Sequence, residues 1–265
     1  MLELVFNLRL VGGEPPRQFS GLATRGAFLN LIGEANPALS TLLHGGYDAT
    51  HKKRSVFSLK PLSFTSAGSS QASFSASFHD QALGTQTLST LLNRAPRSIS
   101  IAGGSYSVEA ISIREVQPEL RATQHSKQES FDLRFVTPTY FSARHSKFKV
   151  IIPNLTLMFL GIANDMHIHG YRSVPRQQVL EARRRIGLTG LDVRSDRPVK
   201  DGLKLYPGFK GWVKLNASQL DDTQKQLLSL LLAWGEAFNV GGNRTAGFGV
   251  LQVTAKNPPV NSASN

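Results

Sequence analysis

His44 stands immediately before a glycine pair, Gly45-Gly46, and the basic run His51-Lys52-Lys53-Arg54 follows it. Histidine exchanges a proton near neutral pH, and lysine supplies a compact cation. Facing each other across a glycine-bearing loop, the two make the equipment for metal-free cleavage of a phosphodiester. One shuttles the proton and the other meets the extra charge on the phosphorane oxygens. The candidates for chemistry are therefore His44 with Lys53 or Lys52, which the spacing does not separate, and His51 and Arg54 lie beside them as contacts to an anionic ligand. The bland alternative is a helix C-cap at His44 and a solvated basic loop after it.

A second constellation lies near the C-terminal end, where Asn239 to Val250 reads NVGGNRTAGFGV. Glycine lets backbone N–H groups approach a ligand closely, and an embedded arginine adds a planar cationic fork. Gly241, Gly242, Asn243, Arg244, Thr245, Gly247 and Gly249 are thus candidate contacts to phosphate. The stretch is no nucleotide P-loop, because no Gly-Lys-Ser or Gly-Lys-Thr closes it, and no dinucleotide fingerprint, because it precedes a strand. Its alternative is a helix-to-strand turn that binds nothing. Arg144 and Lys147 follow a strand end at Phe141 and add further cations for a polyanion. His167-Ile168-His169 would put two imidazoles on one face of a strand near Asp165, but no third ligand cluster accompanies them, and no metal or other cofactor is expected.

The elements that must position these residues follow from hydrophobic spacing. Residues 2–11 read as a buried strand stopped by Gly12-Gly13. Leu22, Ala23, Ala27, Phe28, Leu31, Ile32 and Ala35 mark one face of a helix, and Asn36-Pro37 restarts a short helix that ends at His44. Strands are predicted over 55–60, 72–78 and 106–116, with a helix over 80–92 between the last two. That order is a split βαβ unit, assigned to residues 1–120. A polar linker follows, and the plan restarts over 128–256. There strands are predicted at 131–136, 211–215 and 247–253 and helices at 154–163 and 222–238, with 165–205 left as an unassigned insertion. Residues 257–265 read as a disordered tail. The fold class expected is α+β: two tandem ferredoxin-like βαββαβ domains with antiparallel sheets.

Thirty Lys and Arg against eighteen Asp and Glu give a formal charge of +12, which suits a nucleic acid or another polyanion. Absence of cysteine excludes a disulfide framework and any thiolate zinc site. Met1 to Phe6 carries Glu3 and meets Arg9 too soon for a signal peptide or a membrane span, so the cytoplasm is the expected compartment and no membrane partner is expected.

Three blocks, in order along the chain, carry a more specific signal. Asn36-Pro37-Ala38-Leu39-Ser40-Thr41-Leu42-Leu43-His44, followed by Lys53 and Val56-Phe57-Ser58-Leu59, resembles the N-terminal signature of the sixth Cas protein family, the CRISPR repeat-RNA endoribonuclease of the RAMP superfamily. Phe135 to Phe141 resembles that family's strand opening the second domain, and Val240-Gly241 with Ala246 to Val250 resembles its terminal glycine-rich loop. The resemblance implies that His44 is the general acid/base and Lys53 the accompanying lysine. It also implies metal-independent cleavage by the ribose 2′-hydroxyl, leaving a 2′,3′-cyclic phosphate and a 5′-hydroxyl. The partners implied are CRISPR repeat RNA and its crRNA product, with subunits of a CRISPR effector complex or a second copy of this chain as further ones. Leu29 occupies the place where several members of that family carry a catalytic tyrosine. A non-catalytic RNA-binding subunit of an effector complex is accordingly the alternative reading.

Overall fold

The computed structural model describes residues 1–45, 55–94, 97–143, 146–202 and 204–256. Its first unit, Met1–Val116 together with Asn243–Phe248, begins with β1 (Leu2–Gly12), α1 (Gly21–Ala35), α2 (Pro37–Gly45) and β2 (Phe57–Phe64). It continues through β3 (Gln71–Phe78), α3 (Gln81–Asn93), β4 (Ser98–Ile101) and β5 (Gly104–Glu115). The strands pair antiparallel in the order β2-β3-β1-β5-β4. Without β4 this is the predicted βαββαβ plan. Strand β4 went unseen because four residues at a sheet edge give too short an alternation to read.

Leu4, Phe6 and Leu8 of β1 turn to the helices, as period two requires. The Phe6 ring stacks on Phe74 with centroids 4.3 Å apart, and Phe28 of α1 meets it edge-on at 5.9 Å. Burying such rings is the main source of stability in a sheet-and-helix layer. Helix starts are set by short polar side chains: Asp80 accepts from the N–H groups of Ala82 and Leu83 to open α3, and Asn36 accepts from Leu39 to open α2.

The second unit runs from Gln117 to Gly242 and resumes at Gly249. It contains α4 (Pro118–His125), β6 (Ser130–Thr139), the two-residue strands β7 (Phe141–Ser142) and β8 (Lys149–Val150), α5 (Leu155–Ile168) and α6 (Arg176–Arg184). The long hairpin β9 (Gly187–Asp201) and β10 (Lys204–Asn216) leads to α7 (Asp222–Phe238), and β11 (Leu251–Lys256) closes the unit. Its main sheet is antiparallel in the order β11-β6-β10-β9. The two units thus share one topology, as expected for tandem ferredoxin-like folds.

Three expectations are corrected here. The polar stretch after Gln117 is not an open linker: Pro118 occupies the first helical turn, Ala122 is buried, and Arg121 pairs with Glu236 of α7, which makes it helix α4. The last strand begins at Leu251 rather than 247, because Gly247 and Gly249 hold positive φ and turn the chain instead of extending it. Between 165 and 205 lie the end of α5, α6, β9 and the start of β10. Strand β9 buries no residue over its length, so it lacks the half-buried alternation by which strands are recognised. Among the described residues no helix is long and apolar enough to cross a membrane. The tail 257–265 lies outside the described residues.

Candidate active site and glycine loop

Leu39 and Leu43, both buried, clamp α2 onto the first unit, and the Ser40 hydroxyl donates to the Leu29 carbonyl of α1 at 2.9 Å. These contacts fix the rotation of α2 and leave His44 exposed in its last turn. The His44 carbonyl accepts a hydrogen bond from Arg25 Nη2 at 3.3 Å. Arg25 belongs to α1, whose N-terminal residue Gly21 lies so close to the Ala246 carbonyl that a Cβ there would stand 2.0 Å from its oxygen. Phe19, just ahead of α1, packs edge-on against Phe248 at 4.8 Å. The glycine loop and the His44 end of α2 therefore flank the same stretch of α1. Gly21 and Arg25 are separated along its axis by about 6 Å, four residues at the helical rise.

The grouping of Asn243–Phe248 with the first unit matters for chemistry, since it puts Arg244 in the same compact body as His44. The loop is built differently from the cradle its glycines suggest. Gly242 N–H donates to Tyr140, Ala246 to Asn243, Gly247 to Arg244 and Gly249 to Pro138, so four amides are engaged within the protein. Gly249 has φ +72 and lies against the Val240 carbonyl, which accepts no side chain at that position. Gly247 is buried over Pro61, and Gly242 lies on the ring of Tyr140. Asn243, itself left-handed at φ +57, heads a one-turn 3-10 helix over Arg244–Ala246. Gly241 is exposed, and Asn243, Arg244 and Thr245 are half-buried. What the loop can offer an anion is thus side-chain chemistry more than a ring of amides.

The catalytic candidates Lys52 and Lys53, and the contacts His51, Arg54 and Arg144, lie outside the described residues. Lys147 is exposed in the second unit, next to an exposed Phe148. Leu29 is buried in the core of the first unit, so its side chain is not on the solvent side of α1. Arg25 is what α1 brings to His44 instead. Sequence reasoning passed over Arg25 because a lone arginine on the polar side of an amphipathic helix reads as a solvated residue.

The imidazole pair is also corrected. His167 and His169 do not share a strand face: α5 continues to Ile168 because Asp165 and Met166 extend its buried side. His169 caps that helix with Nε2 3.6 Å from Asp165 Oδ1, while Trp234 Nε1 donates to the other carboxylate oxygen at 2.8 Å. Burial, with Tyr206 nearby, pushes the Tyr140 hydroxyl up to about 12 and keeps it protonated at neutral pH.

Residues 133–251 match the family described as CRISPR-associated endoribonuclease Cas6. No curated protein matches the sequence. Among solved structures, Thermus thermophilus Cas6 is 21% identical with a TM-score of 0.66, over 96% of this chain and 98% of that one. A Cas6 product complex is 20% identical with a TM-score of 0.70, over 96% and 99%. A histidine-to-alanine mutant of a Cas6 is 19% identical with a TM-score of 0.68, over 97% and 100%. These likenesses establish the shared fold along nearly the whole chain.

Proposed function

We propose that this chain is a CRISPR-associated endoribonuclease of the Cas6 kind, the family that its residues 133–251 match, and that it cuts CRISPR precursor RNA within its repeats by a metal-independent transesterification. In this reading the ribose 2′-oxygen gives up its proton, forms a bond to the adjacent phosphorus and displaces the 5′-oxygen. The P–O5′ bond breaks, the 5′-oxygen takes a proton, and the ends are a 2′,3′-cyclic phosphate and a 5′-hydroxyl. His44 carries the proton transfers, and Lys53 or Lys52 answers the charge on the non-bridging oxygens. Arg244, with Asn243 and Thr245, holds a phosphate of the bound strand.

The observation that carries this reading is the exposed His44 at the end of α2, tied through Arg25 to the helix against which the Arg244 loop packs. Repeat RNA incubated with the protein in excess EDTA is expected to be cut once within the repeat, with a cyclic phosphate on the 5′ fragment. Cutting that appears only after a divalent metal is added would remove the mechanism. A second reading, an RNA-binding subunit that does not cut, is favoured by Leu29, which puts an apolar core side chain in place of a hydroxyl. An RNA with a 2′-deoxy sugar at the cut site separates the two. A nuclease binds it without cutting, whereas a non-cutting subunit treats it and the natural RNA alike.

A further inference from the structure

The face of the second sheet turned away from its helices forms an open groove of about 680 Å³. Strand register orders its floor. Gln252 on β11, Arg134 on β6, Trp212 on β10 and Asp192 on β9 stand side by side across the sheet. The next row along β10 brings Lys214 opposite Gly190. Period two explains the assignment: Phe131, Leu133 and Phe135 of β6 are buried on the helix side, so Arg134 points the other way and is exposed.

Several features single this face out. Gly190 sits so close to the Trp212 ring that a Cβ there would come within 3.0 Å of it, and Lys214 Nζ lies 5.2 Å from the ring centroid. Gly211, at φ +133, forms a bulge against the Asp192 carbonyl and re-aims the strand just before Trp212. Arg134 and Arg194 have no carboxylate partner among the described residues, whereas Lys210 is paired with Asp196 at 2.7 Å. Arg134 and Arg194 stand on strands either side of β10, roughly 10 Å apart at the usual strand spacing. A half-buried indole therefore lies between two uncommitted guanidinium groups on the two central strands and an edge strand of a ferredoxin-like sheet.

We infer that this face is a second RNA-contacting surface, which takes a single-stranded segment by stacking a base on Trp212 and holding the flanking phosphates with Arg134 and Arg194. Central-strand aromatics on a four-stranded sheet are the physical means by which such folds bind unpaired bases. Stacking suits any base, and the cations suit any backbone. The Lys214 ammonium covers the ring weakly at an exposed site, so it can swing to a phosphate when a base arrives. A duplex is excluded as occupant because its bases are already stacked and its deep major groove is closed to a side chain standing on a flat sheet. The inference rests on RNA being the ligand in the proposed function, and not on cutting.

Trp212 and Trp234 are the two tryptophans of the chain, and Trp234 is only 1% exposed, so emission quenching reports on Trp212. Titrating the full chain with an eight-nucleotide oligouridylate is expected to quench saturably, and an RNA duplex of equal charge to quench far less. Trp212→Ala is expected to weaken oligouridylate binding, read by anisotropy of a labelled strand, by about 5- to 150-fold, with Trp212→Phe recovering most of the loss. Arg134→Ala is expected to reduce the slope of log affinity against log salt by about 0.7. An equal thermal midpoint certifies each variant as folded. Absence of quenching, equal quenching by duplex, or an unchanged affinity in a folded Trp212→Ala overturns the inference, and quenching by a polyglutamate peptide but not by RNA assigns the groove to an acidic protein instead. Repeat cleavage with no oligouridylate quenching sinks this inference alone, and quenching without repeat cleavage sinks the nuclease reading alone.

Discussion

On the sheet face opposite its helices, the first unit carries buried Ser58, Ser75 and Ser77 around Glu3, whereas the second carries exposed Arg134 and Lys214 around Trp212. In the first, the buried acid is occupied: Glu3 accepts from Ser75 at 2.7 Å and from Lys60 at 3.0 Å. In the second, two guanidinium groups have no such partner among the described residues. Two copies of one topology have thus been given opposite surface chemistry. A fold of this kind sets where side chains stand, and side-chain type alone decides whether a face is closed or ready for a ligand. The chemistry proposed for the first unit is placed instead at the end of α2, where Arg25 donates to the His44 carbonyl.

The largest effect expected is on that helix-end site. His44→Ala should slow single-turnover cleavage of repeat RNA by about 10²- to 10⁴-fold, the usual contribution of a positioned acid/base. RNA affinity should hold within a few-fold, because the exposed imidazole is asked to move a proton and not to grip. Cleavage within a factor of three of wild type would transfer the proton chemistry elsewhere and leave the first unit without a catalytic edge over the second.

Next in size is the glycine loop. Gly249→Ala places a Cβ about where the Val240 carbonyl already is, 1.7 Å away, at a left-handed φ. A loss of about 2–3 kcal/mol is expected from strain of this kind, read as a lowered urea midpoint with an unchanged m-value. Gly68→Ala is the control, since its φ is also positive at +78 but nothing stands within 4 Å of the added carbon. A drop in the Gly68 variant as deep as in the Gly249 variant would show that backbone conformation alone, without the contact, sets the cost.

The sequence disclosed the strand-helix order of the first unit because its apolar residues alternate cleanly: Leu4, Phe6 and Leu8 on β1, Phe74, Ala76 and Phe78 on β3. It disclosed His44 as the end of a helix because Asn36-Pro37 and Gly45-Gly46 bracket α2. Of the β9–β10 hairpin only 211–215 of β10 was legible; β9 stayed hidden, since it buries nothing and its charges read as a loop. Trp212 was passed over for a related reason. It precedes the buried Val213 on a strand whose outward side has meaning only once β6 and β9 are laid beside it. Arg25 needed the packing of α2 on α1, a tertiary contact that no local spacing reports. The loop glycines were legible as necessary but not as to purpose: Gly247 and Gly249 satisfy the backbone, and the engagement of four loop amides depends on tertiary partners that local spacing does not report.

Arg244→Ala tests the loop's remaining offer. With its amides occupied, the loop's cation should act as one phosphate contact, so the variant is expected to bind repeat RNA several-fold more weakly, about 1 kcal/mol, with the salt slope reduced by about one. The rate of cutting at saturating protein should change less than affinity does. If affinity holds while the rate collapses, the arginine acts on the reacting phosphate and the division of labour between loop and helix end must be redrawn.

The smallest effect concerns the closed face. Burial raises the Glu3 carboxyl, but Lys60, the Ser75 hydroxyl and Arg114 outweigh it, and the net shift is below the ordinary value of 4.5. A carboxylate held low in the folded state contributes stability that is present above the unfolded value and is lost as pH falls through the folded one. Stability is therefore expected to decline from about pH 4.5 downward. Glu3→Gln, which cannot ionise, should flatten that part of the curve while costing about 0.5–1 kcal/mol at neutral pH, since Lys60 is partly exposed and water screens its pairing. Urea midpoints between pH 3 and pH 6 read both. An equally steep decline in Glu3→Gln would mean that the acid sensitivity comes from other carboxylates, and that the serine-lined face is held by packing and not by the Glu3 charge.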